Sequence, residues 1–319
     1  MADANITIQS KGGIIKPPTL EGIEWATERK GTPGKLTFKI YSKGSDVQEG
    51  NAVKFTWKGK NVFYGYVFRK QMDKTDIMTI TAYDQLRYFK NKETYVYEGM
   101  SAGELLTKIS ADFGFKTGTI EDTGYKIPSR VEDSQTLFDI MQNALDLTLL
   151  NTGSIYVLHD DFGKLALKNL TNMKLNVLVD ERTGENFDYS SSIDDNTYNK
   201  IKLVYDNKET GQRDVYITQD SNTMAEWGIL QYYDKLQEGE NGIAKAEALI
   251  ALYNKKTRKL TIKDAKGDPS VRAGSVIMVK MDLGDVKVNN PMVVESCTHN
   301  FRLNDHRMTL KLRGGDISG

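Results

Sequence analysis

The sequence predicts a β-rich α+β protein in which two similar antiparallel β-barrel modules, residues 1–97 and 181–319, flank a small α+β domain at 98–180. A helical insertion is expected within the second module at about 222–256. Three observations carry this prediction. Apolar and polar residues alternate near both ends of the chain, two capped amphipathic helices occupy the middle, and two short blocks recur in the same order in the two alternating regions.

The first module begins to show at Lys35, where Leu36, Phe38 and Ile40 face one way and Lys35, Thr37 and Lys39 the other, the period of a half-buried strand. Val53, Phe55 and Trp57 continue the pattern to a turn at Lys58-Gly59-Lys60-Asn61, and an aromatic-rich return strand runs from Val62 to Phe68. A further strand spans Ile77 to Tyr83 after the polar turn Asp73-Lys74-Thr75-Asp76.

The pattern changes at Ser101-Ala102-Gly103-Glu104, the reciprocal capping box of a helix start, followed by Leu105, Ile109 and Phe113 on one face and a stop at Gly114. Ser134 is the expected cap of a second helix whose apolar face is Leu137, Phe138, Ile140, Met141, Ala144 and Leu145. Strands are expected at Ser154–Leu158 and Lys164–Lys168 around the turn His159-Asp160-Asp161-Phe162-Gly163. Strands resume at Asn199–Tyr205 and Arg213–Thr218, joined by Asn207-Lys208-Glu209-Thr210-Gly211 and assigned to the second module. Ala244, Ala248, Leu249, Ile250 and Leu252 make a helical stripe, and Lys259–Arg313 alternates again.

The repeat is the most informative feature. Val47-Gln48-Glu49-Gly50-Asn51-Ala52-Val53-Lys54-Phe55 matches Val271-Arg272-Ala273-Gly274-Ser275-Val276-Ile277-Met278-Val279 at its apolar positions and at the turn glycine, and Met78-Thr79-Ile80-Thr81-Ala82 matches Met308-Thr309-Leu310-Lys311-Leu312. The distance between blocks differs by six residues, assigned to a longer hairpin around Met281-Asp282-Leu283-Gly284-Asp285. Three copies of a duplicated chain would place six similar modules around one axis, a near-sixfold ring from a threefold assembly.

Composition narrows the function. The 319 residues are 39% hydrophobic and 27% charged, enough for two or three domains with their own cores. Lys plus Arg number 43 and Asp plus Glu 43, so no bulk charge draws the chain to nucleic acid, and no sequence-specific nucleic-acid binding is expected. The single cysteine, Cys297, excludes an intrachain disulfide and fits a reducing cytoplasm as the site of synthesis. Met1–Ser10 lacks a secretory signal and no run approaches the roughly 18 apolar residues of a membrane span, so no membrane insertion is expected.

Catalytic signatures are weak. His299 and His306 have no recognised metal-ligand spacing, and Cys297 with His299 lacks a third group to orient a base. Asp160-Asp161-Phe162-Gly163 stands without the other motifs of a kinase, and no phosphate-binding glycine loop occurs. Lys255-Lys256-Thr257-Arg258-Lys259 is assigned to a solvated helix end, and Phe63, Tyr64, Tyr66, Phe68, Tyr83, Tyr88 and Phe89 to core or sheet edge. No catalytic residue, cofactor or metal is expected. A cell-wall hydrolase using Asp160-Asp161 or Glu181, or a carbohydrate- or receptor-binding module using the aromatic residues, stands as the alternative.

Several phrases together carry a family resemblance. Gly59-Lys60-Asn61-Val62-Phe63-Tyr64-Gly65-Tyr66-Val67 and Ala82-Tyr83-Asp84-Gln85-Leu86-Arg87-Tyr88 resemble the first domain of the XkdQ/YqbQ family of phage-like tail proteins. Thr136–Ile140 with Tyr156–Leu165 resembles its middle domain, and Tyr198–Ile201, Trp227–Gln231 and Gly267–Gly274 its last. That family is similar in role to contractile-tail baseplate hubs and to the base of type VI secretion spikes. The resemblance implies a structural homotrimer, a pseudo-sixfold ring joining the tail tube protein to a spike protein among other baseplate proteins. The particle would be a phage, prophage element or tail-like bacteriocin, assembled in the cytoplasm and released by lysis. Two hairpins are the expected tube contacts: Trp57, Lys58, Gly59, Lys60 and Asn61 in the first module, and Asp282, Leu283, Gly284 and Asp285 in the second.

Overall fold

A computed structural model describes residues 3–184, 186–194, 196–207, 210–236, 240–283 and 287–314. Seven strands open the chain: β1 (Ala4–Ser10), β2 (Gly13–Ile15), β3 (Ile23–Glu28), β4 (Lys35–Tyr41), β5 (Ala52–Trp57), β6 (Lys60–Met72) and β7 (Ile77–Tyr83). Their alternation buries Leu36, Phe38, Ile40, Val53, Phe55 and Ile80 on one face, as the period of two requires. The hairpin between β5 and β6 closes through Lys58 and Gly59 alone, both at positive φ, the two-residue turn whose twist matches its strands.

β8 (Lys92–Tyr97) leads into a compact α+β unit. Helix α1 (Ala102–Phe113) carries both bonds of the capping box, the Glu104 N–H donating to Ser101 Oγ at 3.3 Å and the Ser101 N–H to Glu104 Oε2 at 2.8 Å. Gly114 ends it at φ 68°. After β9 (Thr117–Ile120) and β10 (Arg130–Thr136), helix α2 (Leu137–Thr152) is capped not by Ser134 but by Thr136, whose Oγ1 accepts from the Asp139 N–H at 3.1 Å. Ser134 sits at φ 54° where β10 slips register against β8, a conformation that serves the bulge and not a cap. β11 (Tyr156–Asp160) and β12 (Leu165–Asn169) follow, and β11 takes in the buried His159 and Asp160 that the sequence assigns to the turn.

β13 (Lys174–Asp180) and β14 (Asn186–Ser192) begin the second β region. The strands β15 (Lys200–Asp206) and β16 (Arg213–Gln219) do not join it. β15 is the centre of a separate sheet, with β16 antiparallel on one edge and β17 (Gln231–Lys235), which lies in sequence between helices α3 (Ser221–Trp227) and α4 (Gly242–Tyr253), parallel on the other. Helix α4 covers the sheet through Ala246 and Leu249 over Ile201 and Leu203. The insertion is therefore an α/β unit and not a helical one, because the apolar face of α4 needs a sheet of its own to bury against. Of the turn between β15 and β16, Lys208 and Glu209 lie outside the described residues.

β18 (Thr257–Lys266), β19 (Val276–Asp282), β20 (Lys287–Arg302) and β21 (Asp305–Gly314) complete the chain. The expected barrels do not form: no sheet closes on itself among the described residues, and the two β regions are halves of one open sheet ordered β14-β18-β21-β20-β3-β4-β7-β6-β5-β1-β2, with β13 and β19 continuing from β20. The reason is the length of β20. Its first half pairs with β19, and its second half, from Ser296 to Phe301, pairs antiparallel with β3 of the first region.

The repeat is present in atomic detail. The Gly50 N–H donates to Val67 O and the Val67 N–H to Asn51 O at 2.8 and 2.9 Å; Gly274, Val294 and Ser275 make the same two bonds at 2.8 and 2.9 Å. Both glycines stand at positive φ, 86° and 90°, where a side chain is strained. The Gln48 N–H donates to Asn51 Oδ1 and the Arg272 N–H to Ser275 Oγ, so one side-chain cap also repeats. A bulge follows each, at Val67/Arg69 against β7 and at Val294/Ser296 against β21. Register then equates Met78 with Met308 and Ala82 with Leu312. The six extra residues are not all in the β19–β20 hairpin. Three of them lengthen the β20–β21 hairpin, which makes the pairs Asn300–Arg307, Phe301–His306 and Arg302–Asp305 beyond the last pair of its counterpart.

That extension carries Phe301 into the core of the first module, where it meets Phe55 edge-on at 4.9 Å and Trp57 at 5.1 Å. Replacing the fully buried Phe301 by Ala is expected to destabilise the chain by ~3–5 kcal/mol in urea unfolding. A loss below ~1 kcal/mol would show that the hairpin does not hold the two halves together.

Candidate functional site

The two hairpins expected to grip a tube occupy equivalent positions of the repeat. Trp57 and its counterpart Met281 are both 3% exposed and point into their modules, so Trp57 is a core residue and not a contact. Its indole packs on Phe301 and, at 5.7 Å, on His306. Lys58, Gly59, Lys60 and Asn61 stand at the surface, with Lys58 Nζ 3.6 Å from Asp3. In the second hairpin Asp282 is exposed, its N–H donating to Glu181 Oε1 at 3.2 Å and its carboxylate 3.6 Å from Lys287 Nζ. Leu283 is half-buried, and Gly284 and Asp285 lie outside the described residues.

Two buried carboxylates and an arginine come together where the three parts of the chain meet. Asp84, just after β7, accepts from the Gly34 N–H at 2.9 Å and the Leu86 N–H at 3.0 Å, and a Cβ on Gly34 would fall 2.4 Å from Asp84 Oδ2. Asp160, from the middle unit, accepts from the Gly163 N–H at 2.6 Å. Arg272, from the last unit, donates through Nη1 to the Asp160 carbonyl at 2.6 Å and lies over the Trp25 ring. Burial holds the Asp84 carboxyl well above its ordinary range, with the Asp160 charge adding to this. Burial likewise raises Asp160 to about 6, against the Gly163 N–H and Arg272, which favour its charge. Gln85 ties the same corner to the middle unit, exchanging bonds with the Lys116 N–H and carbonyl at 2.7 and 3.0 Å. Asp84 is 4% and Asp160 5% exposed, so both carboxylates are enclosed in this joint, with Arg272 half-buried beside them.

The hydrolase candidates are not a pair. Asp160 is sealed, Asp161 is exposed on the β11–β12 turn, and Glu181 holds the end of β19. Hydrolysis by two carboxylates needs both flanking one bond. The aromatic residues likewise pack on each other: Tyr64 on Tyr66 and Phe162, Phe68 on Tyr83 and Tyr88, and Tyr88 on Phe115.

His299 and His306 do meet. His299 Nε2 lies 2.8 Å from the Val271 carbonyl, which only accepts, so that nitrogen carries hydrogen and Nδ1 accepts from His306 Nε2 at 2.8 Å. Cys297 Sγ lies 3.0 Å from His299 Nε2, so the cysteine and His306 approach different ring nitrogens and share no metal position. Burial lowers His299 to about 3 and His306 to about 4, and pushes the Cys297 thiol up. Among the described residues no group of three or more His, Cys, Asp and Glu side chains could hold a metal ion, and no helix is long and apolar enough to cross a membrane.

Two further repeat blocks were missed by sequence reasoning. Lys35-Leu36-Thr37-Phe38-Lys39 matches Lys259-Leu260-Thr261-Ile262-Lys263, and Ile23-Glu24-Trp25-Ala26-Thr27 matches Phe187-Asp188-Tyr189-Ser190-Ser191. The first keeps the spacing of the glycine block. The second is displaced by the insertion that follows β14.

This arrangement of two fused β modules around an α+β unit is the fold of prophage tail proteins. The prophage MuSo2 43 kDa tail protein from Shewanella oneidensis superposes with a TM-score of 0.70 at 13% identity, covering 97% of this chain and 98% of that one. The tail protein from Neisseria meningitidis MC58 does so with a TM-score of 0.67 at 15% identity, covering 99% and 98%. The chain belongs to the YQBQ-like family, whose profile matches residues 23–313. YqbQ of Bacillus subtilis (strain 168) is 33% identical over 305 residues, covering 91% of this chain and 90% of its own length, and the phage-like element PBSX protein XkdQ of the same strain is 30% identical over 303 residues, covering 91% of each.

The junction makes stability depend on pH in two opposed ways. His299 and His306 have folded pKa values below the ordinary 6.5, so they favour the folded state above pH 6.5 and this is lost as pH falls towards 4. Asp160 is raised above the ordinary 3.8, so its contribution is present at low pH and is lost as pH rises through about 6. Asp160→Asn leaves the histidine effect and removes the second, with the part of the Asp84 elevation that the Asp160 charge supplies, and its unfolding free energy should fall by ~2 kcal/mol or more relative to the native chain between pH 7 and 4.5. Equal pH dependence of the two proteins would contradict the assignment.

Proposed function

We propose that this chain is a structural baseplate hub of a contractile, phage-like tail: three copies form a pseudo-sixfold ring that joins the tail tube to a central spike. The observation that carries it is the atomic duplication of the β module, since three duplicated chains present six equivalent modules. Residues 1–97 and 181–319 supply the ring and 98–180 the unit between its halves. The setting comes from the relatives: XkdQ belongs to the phage-like element PBSX, and the folds of a chain of the Francisella PdpA-VgrG complex (TM-score 0.58) and of the E. coli c3393 protein, a type VI secretion component (0.57), are shared with this chain. The work is done by shape and interface area and not by bond chemistry, as suits a chain whose buried charges are sealed. Assembly takes place in the bacterial cytoplasm with tube, spike and other baseplate proteins, and lysis releases the particle.

Each module offers the tube one hairpin, Lys58–Asn61 from the first and Asp282–Asp285 from the second, the longer reaching where the shorter stands closer. Native mass spectrometry with tube and spike subunits should show trimer; monomer at every concentration would refute the reading. Lys58→Glu/Lys60→Glu should leave the trimer intact and slow tube nucleation by about tenfold or more, the cost of reversing two contact charges. Nucleation at the native rate would place the grip elsewhere.

A further inference from the structure

The contact that joins the two modules within one chain has an unfilled counterpart on the outside of the same chain. Within the chain, the distal half of β20 pairs with β3, Ser296 opposite Glu28 through to Phe301 opposite Ile23. Both partners repeat. Tyr189 faces Leu260 of β18 as Trp25 faces Leu36 of β4, which equates β14 with β3. The shared bulge equates Arg69, Lys70, Gln71 and Met72 of β6 with Ser296, Cys297, Thr298 and His299 of β20. Yet among the described residues β14 pairs with β18 alone, and beyond Val67 the β6 strand pairs with β7 alone. Two open strand edges result, and each shows an exposed apolar side chain, Phe187 at 38% and Met72 at 60%. Unpaired edges of this kind are sites for strand addition.

The side chains around the open edges have changed in matched fashion. At the filled joint Arg29 and Glu295 form a two-bond ion pair at 2.9 and 3.0 Å, while the equivalent positions are Ile193 and Phe68, apolar on both sides. Thr27 Oγ1 accepts from the Ala273 N–H at 2.9 Å; the equivalents are the exposed Ser191 hydroxyl and the Glu49 N–H, which has no acceptor among the described residues. Trp25 stacks on His299 at 5.0 Å, and the counterparts, Tyr189 and Met72, are an aromatic and a thioether that would attract one another if brought together.

We propose that β14 of one copy adds antiparallel to the free edge of β6 in the next copy, placing Ser192 opposite Arg69, Ser191 opposite Lys70, Ser190 opposite Gln71 and Tyr189 opposite Met72. The inference rests on the ring reading and specifies its interface. The contact is head-to-tail, so each copy uses one edge and offers the other, and a ring of three leaves neither open. It is shorter than the internal joint, because the β6–β7 hairpin lacks the three pairs that carry Phe301 and His306.

The test is disulfide trapping in the full chain, with native mass spectrometry of the unmodified protein beside it. Ser190→Cys/Gln71→Cys puts two thiols at a directly opposed pair, within the short Cβ separation a disulfide needs, and mild oxidation should give covalent trimers on a non-reducing gel. Ser190→Cys/Lys70→Cys, one residue out of register and on the other face, should stay uncrosslinked. Trimer by native mass with no trapping of the first variant overturns the strand pairing and leaves the ring reading standing. Dimers from Ser190→Cys alone would show β14 pairing with itself and overturn the head-to-tail arrangement. Monomer by native mass with no trapped species overturns both.

Discussion

The antiparallel pairing of β3 with the distal half of β20 is the contact on which the rest of this chain's geometry depends. Strand pairing fixes register to a single residue, since a slip of one would turn Trp25, Thr27 and His299 from the core to the surface. The pairing therefore sets the angle and height of one module against the other. Around it the Arg29–Glu295 ion pair, the Trp25–His299 stack and the Phe301 side chain lock the two halves from both faces. Nothing in the repeat itself requires this junction; it exists because β20 outruns β19 and has unsatisfied backbone to offer.

The middle unit is seated on that junction by charge. Asp84, Asp160 and Arg272 come from the three parts of the chain; the two carboxylates are buried, and the half-buried Arg272 lies over the Trp25 ring. Such a cluster stabilises little in total, since desolvation offsets most of the attraction, but removing one member strands the others. Its effect is positional: the α+β unit can sit in one way only. His299, His306, Cys297 and the aromatic residues Tyr64, Tyr66, Phe68, Tyr83 and Tyr88 are likewise held in packing contacts.

How much of this is legible in the sequence follows from distance along the chain. The helix α1, the β5–β6 hairpin and the glycine block are local, carried by Ser101-Glu104, Lys58-Gly59 and Gly50/Gly274, and they stand where the residues predict. Ser134 misleads because a polar residue near a helix start is a cap only when its backbone is extended, and here a bulge takes it to positive φ. The match of β3 to β14 is hidden by the inserted β15–β17 unit, which separates β14 from β18 where β3 and β4 are close neighbours. The buried cluster is invisible for another reason. Arg272 is the counterpart of the exposed Gln48, and only the seat of the middle unit, a tertiary fact, turns that position inward.

The central proposal is that one module-to-module relation, set by β3 and β20, recurs throughout the proposed ring. Electron cryomicroscopy of the chain mixed with tube and spike subunits tests it most directly. The account predicts a threefold ring of six near-equal lobes in which neighbouring modules are related by one rotation, whether they belong to one chain or to two. A ring whose relation between chains differs from the relation within a chain would contradict it.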